Sequence, residues 1–470
     1  MSRGSWRGAA LGVLALLTAA CASSAAPPPA ANAPNALERY VARPDPAYGW
    51  KLVNTIKGAG YTGYVLELTS QSWRKASEVD RPVWTHWLTV IKPDRVEHDK
   101  ALLYITGGNN GDPAPTKVSP LSAAIATETR SVVAELGMVP NQPLRFADSP
   151  DVPRYEDDII AHVQNKAVAT RDDEWIVRMA MVNSGVKAMD AVQAFMAGEA
   201  AGAVKLNGFV VAGGSKRGWT TWLVGAVDRR VAAIMPVVID VLNAEPVTRH
   251  HYEALGYFSP ALGDYVRNGI IPDRIGSPEL NAARAIEDPY SYRDRPALRM
   301  PKYIINAAGD EFFLPTNSQF YYPDLQEEKR LRYVPNAEHS LAGSDAVQSM
   351  IAFHQAILTN TPRPEYAWRK RGDGALVVNS QQTPREVNLW QATNPSARDF
   401  RLDSIGPAYA KSPLQRRPDG TWVAEVPRPR RASPPTSLSW FTTAPAGIRS
   451  SSPPRWRSPR TCCRTSGKTR

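Results

Sequence analysis

The stretch Gly213-Gly214-Ser215-Lys216-Arg217-Gly218 sets a serine between two apolar runs, 206–212, which reads as a short buried strand, and 219–227, which reads as a helix. A hydroxyl held on a tight strand-to-helix turn stands clear of its sheet, where it can attack a carbonyl carbon. Such a turn leaves no room for side chains beside the serine, so it calls for glycine on either side. The usual spacing is G-x-S-x-G. Here Arg217 occupies the place of the second glycine and Gly218 follows one residue late. The alternative is a glycine-rich turn whose serine caps the following helix.

Two later loops strengthen the chemical reading. Pro301 to Ala307 reads as a strand whose trailing turn carries Gly309 and Asp310, and 331–334 reads as a strand followed by Glu338 and His339. The order Ser215, Asp310, His339 is that of α/β-hydrolases, and each residue falls just past a strand's carboxyl end, where open α/β sheets form their ligand crevice. A serine hydroxyl is a weak nucleophile at neutral pH without an adjacent base. His339 is read as that base, with Asp310 orienting its imidazole and stabilising the imidazolium. Asp240, after the strand 231–239, is the rival acid. Glu311 and Glu338 are read as solvated neighbours.

The other histidines fall in less suitable places: His86 in an edge strand, His98 in a charged turn, His162 and His354 within helices. His250 and His251 lie in a segment expected to cover the crevice, where packing or contact with substrate are both open. No H-E-x-x-H or comparable spacing occurs, so neither a metal nor any other cofactor is expected. Attack on a carbonyl also needs donors for the oxyanion. The N–H of Lys216 is one candidate, and the loop Gly107-Gly108-Asn109-Asn110, chiefly Gly108 and Asn109, is the source of the second. Arg217 has two readings, a clamp on a substrate carboxylate or a partner for an acid of the protein itself.

The elements around these loops alternate strand and helix from about residue 206 to 360, which argues for a parallel sheet with crossover helices. Before them come strands at 61–73, 85–91 and 101–106 and helices at 121–136, 157–166 and 171–198. The segment 243–297 interrupts the alternation with helix-forming and aromatic residues and is expected to form a cap. From Gly374 the pattern changes to short alternating strands (375–379, 386–390, 422–426), as in a small β-sandwich. The expected fold is therefore α/β, a mostly parallel central sheet flanked by helices over 36–365, with the cap inserted and an accessory β domain over 374–427.

Both ends of the chain differ from this middle. Arg3 and Arg7 precede an apolar run, Ala9 to Ala20, too short to cross a bilayer and built like a secretory signal over 1–21. It ends Leu17-Thr18-Ala19-Ala20-Cys21, close to a lipoprotein signal with lipid on Cys21, although leucine stands one place early; ordinary cleavage near Ala22 is the alternative. Residues 22–35, rich in Ala and Pro, read as a tether. The net charge of +11 suggests nucleic acid or anionic lipid as a partner, but ten Lys or Arg lie in 428–470, which has no acid, so the rest of the chain is near neutral. That tail is read as disordered, or as the product of a frameshift near Arg430. No nucleic-acid partner is expected. With Cys462 and Cys463 in the tail and Cys21 at the signal, the mature core has no cysteine for a disulfide or a thiolate metal site.

Four motifs, VPNQPL (139–144), GGSKRGWTTWL (213–223), AAGDEFFLP (307–315) and VPNAEHSL (334–341), resemble the PhoPQ-activated pathogenicity-related family, over about residues 36–427. The resemblance implies an α/β-hydrolase fold, with the shared motifs falling at Ser215, Asp310 and His339. It also implies a link to envelope defence in bacteria and to secreted signals in amoebae. The expectation is thus an exported serine hydrolase acting on an ester or amide of a small molecule or peptide. The alternative is a binding or signalling protein on the same scaffold.

Overall fold

The computed structural model describes residues 34–425 and 437–443. Helix α1 (Ala36–Ala42) starts at Asn35, whose side chain accepts the Glu38 N–H while the Glu38 carboxylate accepts the Asn35 N–H. This reciprocal cap satisfies two otherwise unpaired donors. Strands β1 (Gly49–Gly58), β2 (Tyr61–Ser72) and β3 (Val83–Pro93) follow as an antiparallel ribbon. Next come β4 (Lys100–Ile105), α2 (Pro120–Thr129), β5 (Val133–Leu136) and the hairpin β6 (Leu144–Phe146) and β7 (Ser149–Arg154). Helices α3 (Glu156–Thr170) and α4 (Val177–Ala197) lead to β8 (Gly208–Gly214), α5 (Lys216–Val227) and β9 (Val231–Val237).

Helices α6 (Ala244–Leu255), α7 (Gly263–Arg267) and α8 (Pro278–Glu287) occupy the expected cap segment. Ile270, Ile271 and Leu280 pack there against Ala161 and Val168 of α3. The chain then returns to the sheet with β10 (Lys302–Ala307) and β11 (Lys329–Val334), followed by α9 (Ala346–Leu358). The nine strands run β1-β2-β3-β5-β4-β8-β9-β10-β11. From β5 to β11 every neighbouring pair is parallel. This is the α/β-hydrolase fold.

The central strands are buried on both faces, which explains their unbroken apolar runs. In β4, Leu103 packs on one face and Leu102 on the other; in β8, Val211 and Val210 divide in the same way. The first face is covered by α4 and α5, the second by α2 and α9. One expected element differs. The helix expected to run to residue 136 ends at Thr129, Arg130 turns into the left-handed region at φ 51°, and 133–136 forms β5. The β-branched pair Val132-Val133 favours a strand, and β5 fills the gap between β3 and β4.

The C-terminal part contains two three-stranded sheets. One joins β12 (Tyr366–Lys370), β13 (Leu376–Ser380) and β16 (Trp422–Ala424). The other joins β14 (Val387–Thr393), β15 (Ala410–Pro413) and β17 (Ser437–Thr443), with the short helix α10 (Leu402–Ile405) between β14 and β15. Val378 and Trp422 of one sheet meet Val387 of the other. Strand β17 lies within the basic tail and pairs antiparallel with β14. The rest of 428–470, the segment expected to be a signal with Cys21, and most of the expected tether lie outside the described residues.

This accessory part also braces two loops of the larger sheet. Ala392, Phe400 and Tyr409 pack on Ala308 and Tyr333 at the ends of β10 and β11. The Leu402 N–H donates to the Gly309 carbonyl at 3.0 Å, and Asn336 and Tyr409 exchange two hydrogen bonds at 2.9 Å. A Cβ on Gly309 would lie 2.9 Å from the Ala337 carbonyl oxygen and from the Leu402 nitrogen, both backbone atoms. Gly309→Ala should therefore lower stability by about 1–3 kcal/mol, the usual cost of forcing extra volume into a packed site. The control is Gly372→Ala, where nothing lies within 4 Å. Equal Tm values for both variants would show that the loop contact is not tight.

Candidate active site

Ser215 is the residue between β8 and α5, with φ 56° and ψ −127°. A non-glycine residue in this region is strained by about 1–3 kcal/mol and persists only where its surroundings enforce it. The enforcing contacts are visible. The Ser215 N–H donates to the Val237 carbonyl at 2.8 Å, and the Ser215 carbonyl accepts the Trp219 N–H at 3.0 Å as the first bond of the helix. A Cβ on Gly213 would lie 2.8 Å from the Arg217 carbonyl oxygen, and one on Gly218 would lie 2.9 Å from the carbonyl oxygens of Gly213 and Val237. The clearance usually supplied two residues after the serine is supplied here by Gly218.

Ser215 opens onto a cavity of about 90 Å³ formed by α3, α4, α5, the cap and the loop after β10. Ile239, Val247, Leu262, Phe312 and Phe313 make its wall largely apolar. Phe312 and Phe313 also flank the His339 ring, with centroids 4.5 and 5.9 Å away. The second loop pair is fully formed. Asp310, 2 % exposed, accepts from His339 Nδ1 through Oδ2 at 2.8 Å, while its Oδ1 accepts the N–H groups of Phe312 and Phe313. His339's own N–H donates to Glu311, so that acid serves the loop rather than solvent alone. Among the described residues, no hydrogen bond joins the Ser215 hydroxyl to His339.

Asp240 is held differently. Its carboxylate accepts from the hydroxyls of Tyr321, at 2.6 Å, and Tyr333, and among the described residues no hydrogen bond or ion pair joins it to His339. Burial pushes it up to about 7; the two tyrosine hydrogen bonds oppose the rise and the charge of nearby Asp310 adds to it. The acid bonded to the histidine is Asp310.

Arg217 takes the second of its two readings. It clamps Glu156, the first residue of α3, with Nη1 and Nη2 at 2.8 and 2.7 Å, and Nε donates to the Val139 carbonyl. With three of its donors engaged, it is not the substrate clamp allowed by the sequence. Lys216 Nζ joins the same acid at 2.7 Å and Asp157 at 3.3 Å. Burial would raise Glu156, but Lys216 and Arg217 overcome it and hold the carboxyl down at about 2. The main-chain N–H of Lys216 lies in the first turn of α5, where no intrahelical acceptor exists.

The second donor loop is also altered. The Asn109 N–H donates to Asp112 at 2.6 Å, which removes it as a free oxyanion donor. Gly108, at φ 142°, keeps its N–H without an acceptor among the described residues, and a Cβ there would meet Met138 at 3.1 Å. Neither residue lines the cavity. His250 bonds Thr316, whereas His251 lines the cavity and accepts the Ser259 N–H on Nε2. Burial, helped by Arg401, pushes His251 down to about 4. Among the described residues no group of three or more metal-ligating side chains forms. Glu156, Arg178 and Arg284, which the structure brings to this site, escaped the sequence reading because each is a single charged residue in a helix with no motif around it.

The chain matches the PhoPQ-activated pathogenicity-related protein family over residues 37–401. It belongs to that family. Autocrine proliferation repressor protein A of Dictyostelium discoideum is 40 % identical over 382 residues, 78 % of this chain and 76 % of that protein. Among solved structures, an acetyl xylan esterase from Paenibacillus sp. R4 is 12 % identical, with a TM-score of 0.47 over 69 % of this chain and 91 % of that one. Acetyl xylan esterase 1 from Thermoanaerobacterium sp. is 15 % identical, with a TM-score of 0.47 over 69 % and 94 %.

The Glu156 hub gives a pH-dependent expectation for stability. Its folded pKa lies below that of a free carboxyl, about 4.3, so its stabilisation is complete above that pH and is lost as pH falls toward 2. Glu156→Gln should destabilise the protein at pH 7, and the difference from wild type should narrow at pH 3. Denaturant melts at the two values measure it; a difference independent of pH would mean that the carboxylate charge is not what matters.

Proposed function

We propose that the protein is a serine hydrolase acting on an ester or amide, without metal or cofactor. The observation that carries this reading is the strained Ser215 turn opening onto an apolar cavity beside the Asp310–His339 pair. Asp310 accepts from Nδ1–H and so leaves Nε2 of His339 free to act as a base. Ser215 Oγ adds to the carbonyl carbon as its proton passes to Nε2, and the oxyanion takes the Lys216 N–H. The leaving alcohol or amine departs with the proton, leaving an ester on Ser215. Water then adds, giving its proton through His339 back to Oγ, and the acid is released. A closing movement of His339 toward Ser215 belongs to this mechanism, since catalytic hydrogen bonds in empty sites are often loose.

A second reading, a secreted signal or binding protein on the same scaffold, is favoured by the amoebal relative, a proliferation repressor by name. It is also favoured by the missing bond between Ser215 and His339. Fluorophosphonate separates the two. A hydrolase should be labelled on Ser215, and Ser215→Ala should abolish labelling; a folded wild-type protein that stays unlabelled leaves the signalling reading standing.

The acid assignment has its own test. Asp310→Asn should reduce kcat by up to ~10⁴ while the protein remains folded, as for the corresponding change in the best-studied triad. Asp240→Asn should leave the His339 ring oriented and kcat far less affected. A collapse in Asp240→Asn with near-normal turnover in Asp310→Asn would reverse the assignment. Export, to the envelope or beyond, is part of the proposal and rests on the run Ala9 to Ala20. Lipid on Cys21 would hold the protein at a membrane, and Cys21→Ser should then release it into the soluble fraction.

A further inference from the structure

The cavity at Ser215 contains two guanidinium groups that the mechanism does not use. Arg178 of α4 and Arg284 of α8 both line it. Arg178 is 2 % exposed, lies over the Trp219 ring at 3.6 Å, and sits 3.1 Å from the Glu287 carboxylate. Its Nε and Nη1 nonetheless make no hydrogen bond. Arg284 is half-buried, its Nη1 is enclosed without a partner, and among the described residues its guanidinium has neither a hydrogen bond nor an ion pair.

Three acids face Arg284 at longer range, and each is already engaged. Glu287 serves Arg178 and Gln164. Asp288 accepts the N–H groups of Asn243, Ala244 and Tyr290. Glu245 pairs with Arg249 at 2.9 Å and with Asn281 at 3.0 Å. Arg178 thus has the one close carboxylate, and Arg284 lines the same small apolar cavity with none of its own among the described residues. Elsewhere around the site the cations are matched: Lys216 and Arg217 have Glu156 and Asp157. A cation enclosed without a partner is costly unless something else supplies the opposite charge.

We propose that the group missing from this wall is supplied by the substrate, as a carboxylate on the part that enters the cavity, bound by Arg284 with Arg178 behind it. The substrate is then an anionic ester or amide whose carboxylate stands a few bonds from the scissile carbonyl. Carboxylate and guanidinium match in shape and charge, which is why arginine serves such recognition. The cavity volume of about 90 Å³ suits a short acyl group rather than a long chain. The inference rests on the hydrolase reading for the word substrate, but the binding site can be tested without turnover.

Titration calorimetry on the full-length Ser215→Ala protein should show saturable binding of glutarate and at least about tenfold weaker binding of its neutral isostere glutaramide, the range expected for charge-assisted hydrogen bonds. Arg284→Gln should remove that preference and Arg284→Lys should restore part of it. Equal binding of glutarate and glutaramide to the parent protein, which needs no arginine variant, overturns the proposal. In the active protein, kcat/KM for p-nitrophenyl hemiglutarate should exceed that for p-nitrophenyl butyrate if the carboxylate belongs to a dicarboxylic acyl group. Glutamyl p-nitroanilide should exceed glutaminyl p-nitroanilide if it belongs to an acidic peptide. No preference in either pair, in a protein that labels with fluorophosphonate, sinks the inference and leaves the hydrolase reading intact. Glutarate binding without labelling does the reverse.

Discussion

The conformation of Ser215 is the constraint around which the sheet's upper edge is arranged. At φ 56° and ψ −127° the residue is stable only because β8, β9 and α5 approach within backbone contact. That approach needs hydrogen in place of a side chain at Gly213 and Gly218. It also sends the side chain of Arg217, the second residue of α5 and the one before Gly218, toward β4 and α3. Gly107 is correspondingly bare, since a Cβ there would lie 2.7 Å from Arg217 Nη2. The arginine therefore crosses above a glycine to reach Glu156, and the departure from the G-x-S-x-G spacing becomes a tie between the turn and the helix α3.

A second constraint comes from the far end of the chain. Asp310 and His339 stand on separate loops, and neither loop is held only by its own strand. The segment 399–410 donates to the Gly309 carbonyl, bonds Asn336 on both sides of its amide, and buries Phe400 and Tyr409 against Ala308 and Tyr333. The accessory β part is thus a buttress for the acid and base, while the turn carrying the serine depends on the middle of the sheet. The nucleophile and its partners are braced by different parts of the chain.

Local chemistry made the serine turn, the strands and the three triad candidates legible in the sequence. Gly-Gly-Ser before an apolar helix and Gly-Asp after a buried strand are short-range signals that packing reinforces. Where the reading diverged, the deciding contacts came from residues outside the motif, most of them far along the chain. The run 121–136 reads as one helix up to its β-branched pair Val132-Val133, and the slot between β3 and β4 makes its last four residues a strand. Arg217 offered two partners, and the choice depended on Glu156, 61 residues away. Asn109 read as a donor until Asp112, three residues on, accepted its N–H. Arg178 and Arg284 carry no local signal at all, because a lone arginine in a helical sequence is ordinarily exposed to water.

Charge pairing around the site separates structure from recognition. Buried charges in folded proteins are matched or neutralised, since an unmatched one weakens the fold. Glu156 obeys this with two cations, and Asp240 obeys it through tyrosine hydrogen bonds and a raised affinity for its proton. Asp310 obeys it with His339 and two backbone N–H groups. Arg284 does not. Burial pushes its guanidinium below the ordinary value, and the acids nearest to it already have other partners. The residues that satisfy one another hold the turn and loops in place; the one left over faces the cavity where a substrate must enter.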